Sequence, residues 1–111
     1  MEGISLEEYF YFHDRLGIHI PIIHKDWDSL SEDIRQSILL RWETVRGLIP
    51  DRIISLEKII NTKQAQLSNE TNFELSCQLN HDIADLASII NELWLWFRTD
   101  QTISERCINN A

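Results

Sequence analysis

The sequence predicts an all-α protein: a long antiparallel helical hairpin, with a short N-terminal helix and an extended strap packed on it. Three observations carry this. First, 111 residues contain only 3 Gly and 2 Pro, few for a chain built from tight β-turns. Second, two long segments place apolar residues at steps of three and four, the spacing of one helix face. Third, a short polar stretch, Ser68-Asn69-Glu70, separates the two, and a short connection between seamed helices implies antiparallel neighbours. The length fits one domain, and 43% hydrophobic with 25% charged residues is globular composition.

The first element is expected over residues 5–16. Ser5 followed by Glu8 has capping-box spacing. Leu6, Tyr9, Phe10, His13 and Leu16 share one side of that helix, and Gly17 would end it. An extended strap follows over 18–28. Ile18, Ile20 and Ile22 alternate with His19 and Pro21 at strand period, and Pro21 biases Ile20 towards extended backbone. With no second strand expected, the strap lies along the helices or, less favoured, pairs with its own copy across a dimer.

A long helix is expected over 30–67. Ser29 or Ser31 caps it, with Glu32 and Asp33 at the positive end of the dipole. Its stripe runs Ile34, Ile38, Trp42, Val45, Ile49, Ile53, Leu56, Ile60 and Leu67. Pro50 falls inside, removing the hydrogen bond to the Arg46 carbonyl at a cost of about 3 kcal/mol. The stripe keeps its phase across the proline, which favours a kink; a clean break would give a four-helix bundle instead. The last helix is expected over 71–98, with the seam Leu79, Ile83, Leu86, Ile90, Leu93, Phe97. Counting outward from the turn pairs Ile60 with Leu79, Ile53 with Leu86, Ile49 with Ile90 and Trp42 with Phe97. A frayed tail is expected over 99–111.

Asn91 to Arg98, NELWLWFR, is apolar nearly all the way round. Ile89 and Trp96 lie off the seam and define a second face, so this helix needs a second neighbour. The N-terminal segment is the first choice for it. A partner chain is the other, because aromatics anchor interfaces. On that view Trp94 belongs to the core, and Trp96, Ile89 and Leu95, with Trp27 and Tyr9, are the interface residues of a homodimer or other protein contact.

A net charge of −8 opposes binding to nucleic acid and to anionic membranes, and the basic residues form no patch. No apolar run approaches the ~20 residues of a membrane span. MEGISLEEYF lacks a basic stretch before an apolar core, so no signal peptide is expected, and the cytoplasm is the expected compartment. Cys77 and Cys107 lack metal-ligand spacing. Cys77 sits in an apolar helical pattern and reads as a small buried hydrophobe.

Catalytic chemistry has few candidates. His13-Asp14 and His81-Asp82 are His-Asp dipeptides of the kind that share a metal in phosphohydrolases, with His24 a possible further ligand; polar surface is the commoner role. Ser55, Ser76 and Ser88 have no base at predictable spacing. No glycine-rich phosphate loop occurs, and no cofactor is expected. Asp82-Ile83-Ala84-Asp85-Leu86 places two carboxylates one turn apart. This stretch resembles the second acidic motif of the all-α nucleotide pyrophosphatases, helical hydrolases that hold magnesium between helices. The resemblance implies a metal site from His81, Asp82, Asp85 and Glu57. It covers about ten residues, and the second acid pair expected on the preceding helix is represented by Glu57 alone. The leading expectation is therefore a small non-catalytic interaction, regulatory or subunit module that self-associates through its aromatic end. A metal-dependent phosphohydrolase of that helical type is the alternative.

Overall fold

The computed structural model describes residues 6–22 and 27–99. Ser5, His24, Cys107 and nearly all of the expected tail lie outside them. The chain is mostly helical. A 3₁₀ turn (Glu7–Tyr9) leads into strand β1 (Phe10–His13) and strand β2 (Ile18–Pro21). A second 3₁₀ turn (Trp27–Ser29) precedes helix α1 (Glu32–Ser68), and helix α2 (Phe73–Phe97) follows.

The expected helix over 5–16 does not form. β1 pairs antiparallel with β2, with Phe10 opposite Pro21, Tyr11 opposite Ile20, Phe12 opposite His19 and His13 opposite Ile18. Three aromatics in a row, Phe10-Tyr11-Phe12, suit a pleated half-buried surface better than a helix. Gly17, at φ 74°, supplies the left-handed residue that a four-residue hairpin loop needs. Its N–H donates to the His13 carbonyl at 2.7 Å, and the Leu16 N–H donates to His13 Nδ1 at 3.2 Å. The strand period read over Ile18–Pro21 is correct, and its partner is the segment that was expected to be helical. The fold is thus a helical hairpin carrying a small two-stranded sheet, not purely α.

Ser31 is the cap of α1, accepting from the Ile34 N–H at 3.2 Å. The helix runs unbroken through Pro50 for 37 residues, about 55 Å, so the break that would make a four-helix bundle does not occur. Asn72 caps α2 by accepting from the Leu75 N–H at 3.1 Å. The helices pack together and run antiparallel: Trp42 meets Trp96 near one end, and Lys63 meets Asp82 towards the other.

The core is lopsided. Ile38, Trp42, Val45, Ile49, Ile53 and Leu56 of α1 are buried with Ile89, Leu93 and Trp96 of α2, and with Tyr9, Phe10, Leu16, Ile18 and Ile20 of the N-terminal segment. No residue between 57 and 88 is fully buried. The N-terminal hairpin therefore covers only the open end of the helical pair. Polar contacts pin it there: Arg52 Nε donates to the Leu16 carbonyl at 3.1 Å. Arg15 reaches Glu92 at 2.9 Å, Asp85 at 3.3 Å and the Ser88 hydroxyl at 3.2 Å.

Candidate interaction surface

The second face of α2 is used inside the chain. Ile89 and Trp96 are each 6% exposed, as is Tyr9. Trp96 lies edge-on to Trp42, centroids 5.5 Å apart. Three of the five expected interface residues are thus buried within the chain: Trp96 packs on Trp42 of α1, and the N-terminal hairpin reaches α2 through the polar contacts of Arg15. Trp27 is half-buried against the same cluster. Leu95 is 41% exposed. The roles of the two tryptophans are exchanged relative to expectation, since Trp94, not Trp96, reaches solvent, at 39% exposed.

Trp42 explains the exchange. It is fully buried, and its indole N–H donates to the Thr99 carbonyl, so the turn after α2 closes over it. Trp96 is then held beside it. Phe97, the expected rung for Trp42, instead lies under Arg46: the guanidinium sits 5.1 Å from the ring centroid and donates to the Phe97 carbonyl at 3.0 Å. Trp94, two residues before Trp96 and so about 200° around the helix, faces away from the N-terminal hairpin, with its ring edge-on to Phe97 at 5.4 Å.

On that open side the two helices leave a groove lined by Glu57, Ile60 and Asn61 of α1 and Ala87 and Ile90 of α2. Other apolar side chains reach solvent nearby in sequence or at the turn: Ile54 at 49% and Phe73 at 80%. Phe73 was not singled out by any pattern in the sequence, because it sits outside the Leu79–Phe97 seam; in the first turn of α2 it is left largely uncovered by the described residues.

The residues proposed for metal binding do not converge. Asp82 accepts from the Gln78 amide at 2.7 Å and from Lys63 Nζ at 3.1 Å. These contacts, the amide first, hold its carboxyl below the ordinary carboxylate range. Asp85 is engaged by Arg15, Glu57 lines the groove, and His81 is exposed. Among the described residues no three His, Cys, Asp or Glu side chains come together as a metal site would require. His13 serves the hairpin loop, and His19 packs edge-on to Phe12 at 5.1 Å. Cys77, expected to be buried, is an exposed free thiol. Arg15, Arg35, Arg46 and Lys63 are each bridged to acids, so they form no free cationic surface. No helix among the described residues is long and apolar enough to cross a membrane.

No protein-family model, curated protein or solved structure matches this chain.

Proposed function

We propose that this chain is a non-catalytic interaction or subunit module of the cytoplasm, working through the open side of its helical hairpin. One observation supports the reading above others. Two aromatic side chains, Phe73 and Trp94, stay in contact with water on a helix whose neighbouring face is already satisfied. Scattered exposed apolar residues are ordinary, but aromatics aligned on one helix are what a partner surface recognises. The metal-dependent phosphohydrolase reading has no comparable support: Asp82 and Asp85 are engaged by Lys63 and Arg15, and among the described residues Glu57 does not join them in a cluster of three.

The test is affinity capture from the native host with the wild-type chain and with Trp94→Glu, checked for unchanged helical circular dichroism. Proteins retained by the wild type and lost with the variant support the module. Identical sets from both remove the open side from consideration. A divalent-metal titration followed by melting temperature addresses the alternative: a rise that Asp82→Ala abolishes would establish a metal site by mass action and overturn the non-catalytic reading.

A further inference from the structure

We infer that the occupant of the open side is a second copy of this chain, docked antiparallel so that Phe73 of each copy packs on Trp94 of the other. The inference rests on the interaction-module reading and names its partner.

The geometry comes from α2. Residues 73, 76, 80, 83, 87, 90, 94 and 97 follow steps of three and four and so lie on one stripe. No charged residue occurs on it. Phe73 stands near one end, 80% exposed, and Trp94 near the other, 39% exposed. Between them Ile83 and Ile90 are half-buried and Ala87 is exposed. The N-terminal hairpin does not compete for this stripe. Arg15 holds it to Asp85, Ser88 and Glu92, which lie on the other side of the helix at 100° per residue.

Phe97, at the same end as Trp94, is covered by Arg46, so the stripe presents one exposed bulky aromatic towards each end with smaller residues between them, a pattern self-complementary about a two-fold axis. Placing Phe73 on Trp94 of the second copy puts the axis between positions 83 and 84. Ile83 then lies next to its own copy, and Asn80 faces Ala87.

Charge selects this direction over the parallel one. Arg98 is exposed and has no acidic partner among the described residues. In the antiparallel register it falls towards the inter-helix turn of the second copy, which carries Glu70, at the opposite end of the helical pair. Parallel docking would instead set Arg98 against Arg98.

The area is adequate. The stripe is about 36 Å long, and two packed helices are about 19 Å wide. A face-to-face contact therefore occupies roughly 700 Å² on each copy, close to the ~800 Å² per partner of stable complexes. Each copy carries a net charge of −8, so their mutual repulsion is screened by salt and association strengthens as salt is added.

Sedimentation equilibrium of the full chain over a wide concentration range tests this. The wild type should approach twice 13.1 kDa, more readily at high salt. Phe73→Glu and Trp94→Glu should each raise the dissociation constant by at least about 30-fold, the loss expected when an aromatic anchor is removed, with helical circular dichroism retained. The double variant Phe73→Lys/Trp94→Glu should regain much of the lost association at the same salt, because unlike charges then meet twice across the axis. A wild type that stays at 13.1 kDa throughout overturns the second copy as occupant while leaving the capture experiment to decide the module itself. A dimer indifferent to Phe73→Glu, or a double variant weaker than both singles, overturns the antiparallel register.

Discussion

The same substitution, Gly to Ala, should have opposite effects at two positions. Gly17 closes the β-hairpin with φ 74°, a region that costs an L-residue about 1–2 kcal/mol. A Cβ there would lie 2.7 Å from Arg52 Nε and 2.9 Å from Arg52 Cζ, so the guanidinium must move. Moving it stretches its hydrogen bond to the Leu16 carbonyl, a charge-assisted contact of the kind worth about 1.5–3 kcal/mol in full. Part of this is recovered because alanine narrows the unfolded ensemble by about 0.4–1 kcal/mol. A net loss of about 2 kcal/mol follows. Gly47 lies in the middle of α1, and a Cβ there meets nothing within 4 Å. Helix propensity alone then stabilises Gly47→Ala by about 1 kcal/mol. For a chain of this size each kcal/mol moves the melting temperature by roughly 4 °C. The variants should therefore separate by about 12 °C around the wild type when melted by far-ultraviolet circular dichroism at one fixed concentration. A stabilised Gly17→Ala, or two shifts of the same sign, would refute the assigned hairpin turn and its seat on Arg52.

Three further outcomes follow from the packing. Ile53 is 2% exposed and Ile59 is 43% exposed, so in urea unfolding Ile53→Ala should lose about 2–5 kcal/mol and Ile59→Ala well under 1 kcal/mol; equal losses would contradict the face assigned to α1. Trp42→Phe removes the indole donor of the buried Thr99 carbonyl and part of a fully enclosed ring, and should lose about 2–3 kcal/mol in the same assay. The Asp82 carboxyl is held below its ordinary value of 3.8 by Gln78 and then Lys63, so the unfolded chain binds this proton more readily than the folded one. Its contribution is complete above the ordinary value and is lost as pH falls through the lower folded value; the stability gap between wild type and Gln78→Ala should shrink over that acidic window, and a gap that widens there would refute the contact.

The helical hairpin was legible because both stripes are long and keep one period. Every α1 position from Ile38 to Leu56 on that stripe is buried, and Ser31 caps where the Ser-rich entry implied. The N-terminal segment was misread for a definite reason. Leu6, Tyr9, Phe10, His13 and Leu16 satisfy helical spacing, yet FYFH and IHIP are two β-favouring runs joined by four residues ending in Gly17, which is also a hairpin signal. Tertiary pairing decided between two locally acceptable answers. The interaction surface was half legible. That α2 is apolar on two faces follows from helical periodicity, but periodicity does not say which of Trp94 and Trp96 is enclosed. That choice was made by Trp42, 54 positions before Trp96 in the chain, through a contact no local pattern encodes. Phe73 was invisible for the opposite reason: its nearest companions at helical spacing, Ser76 and Asn80, are polar, so no apolar pattern marks it.

The uneven distribution of buried side chains divides a single continuous helix pair into a firm base and a loosely held tip. Beyond Leu56 and before Ile89 the two helices rely on half-covered aliphatics and one Lys63–Asp82 bridge, so opening that stretch exposes little apolar surface. In the monomer, amide protons from residue 60 to 85 should exchange with solvent by unzipping from the Ser68–Asn72 turn, while those around Ile49 and Leu93 wait for global unfolding. The tip is thus the part of the molecule that can reshape itself at small energetic cost while the base stays folded.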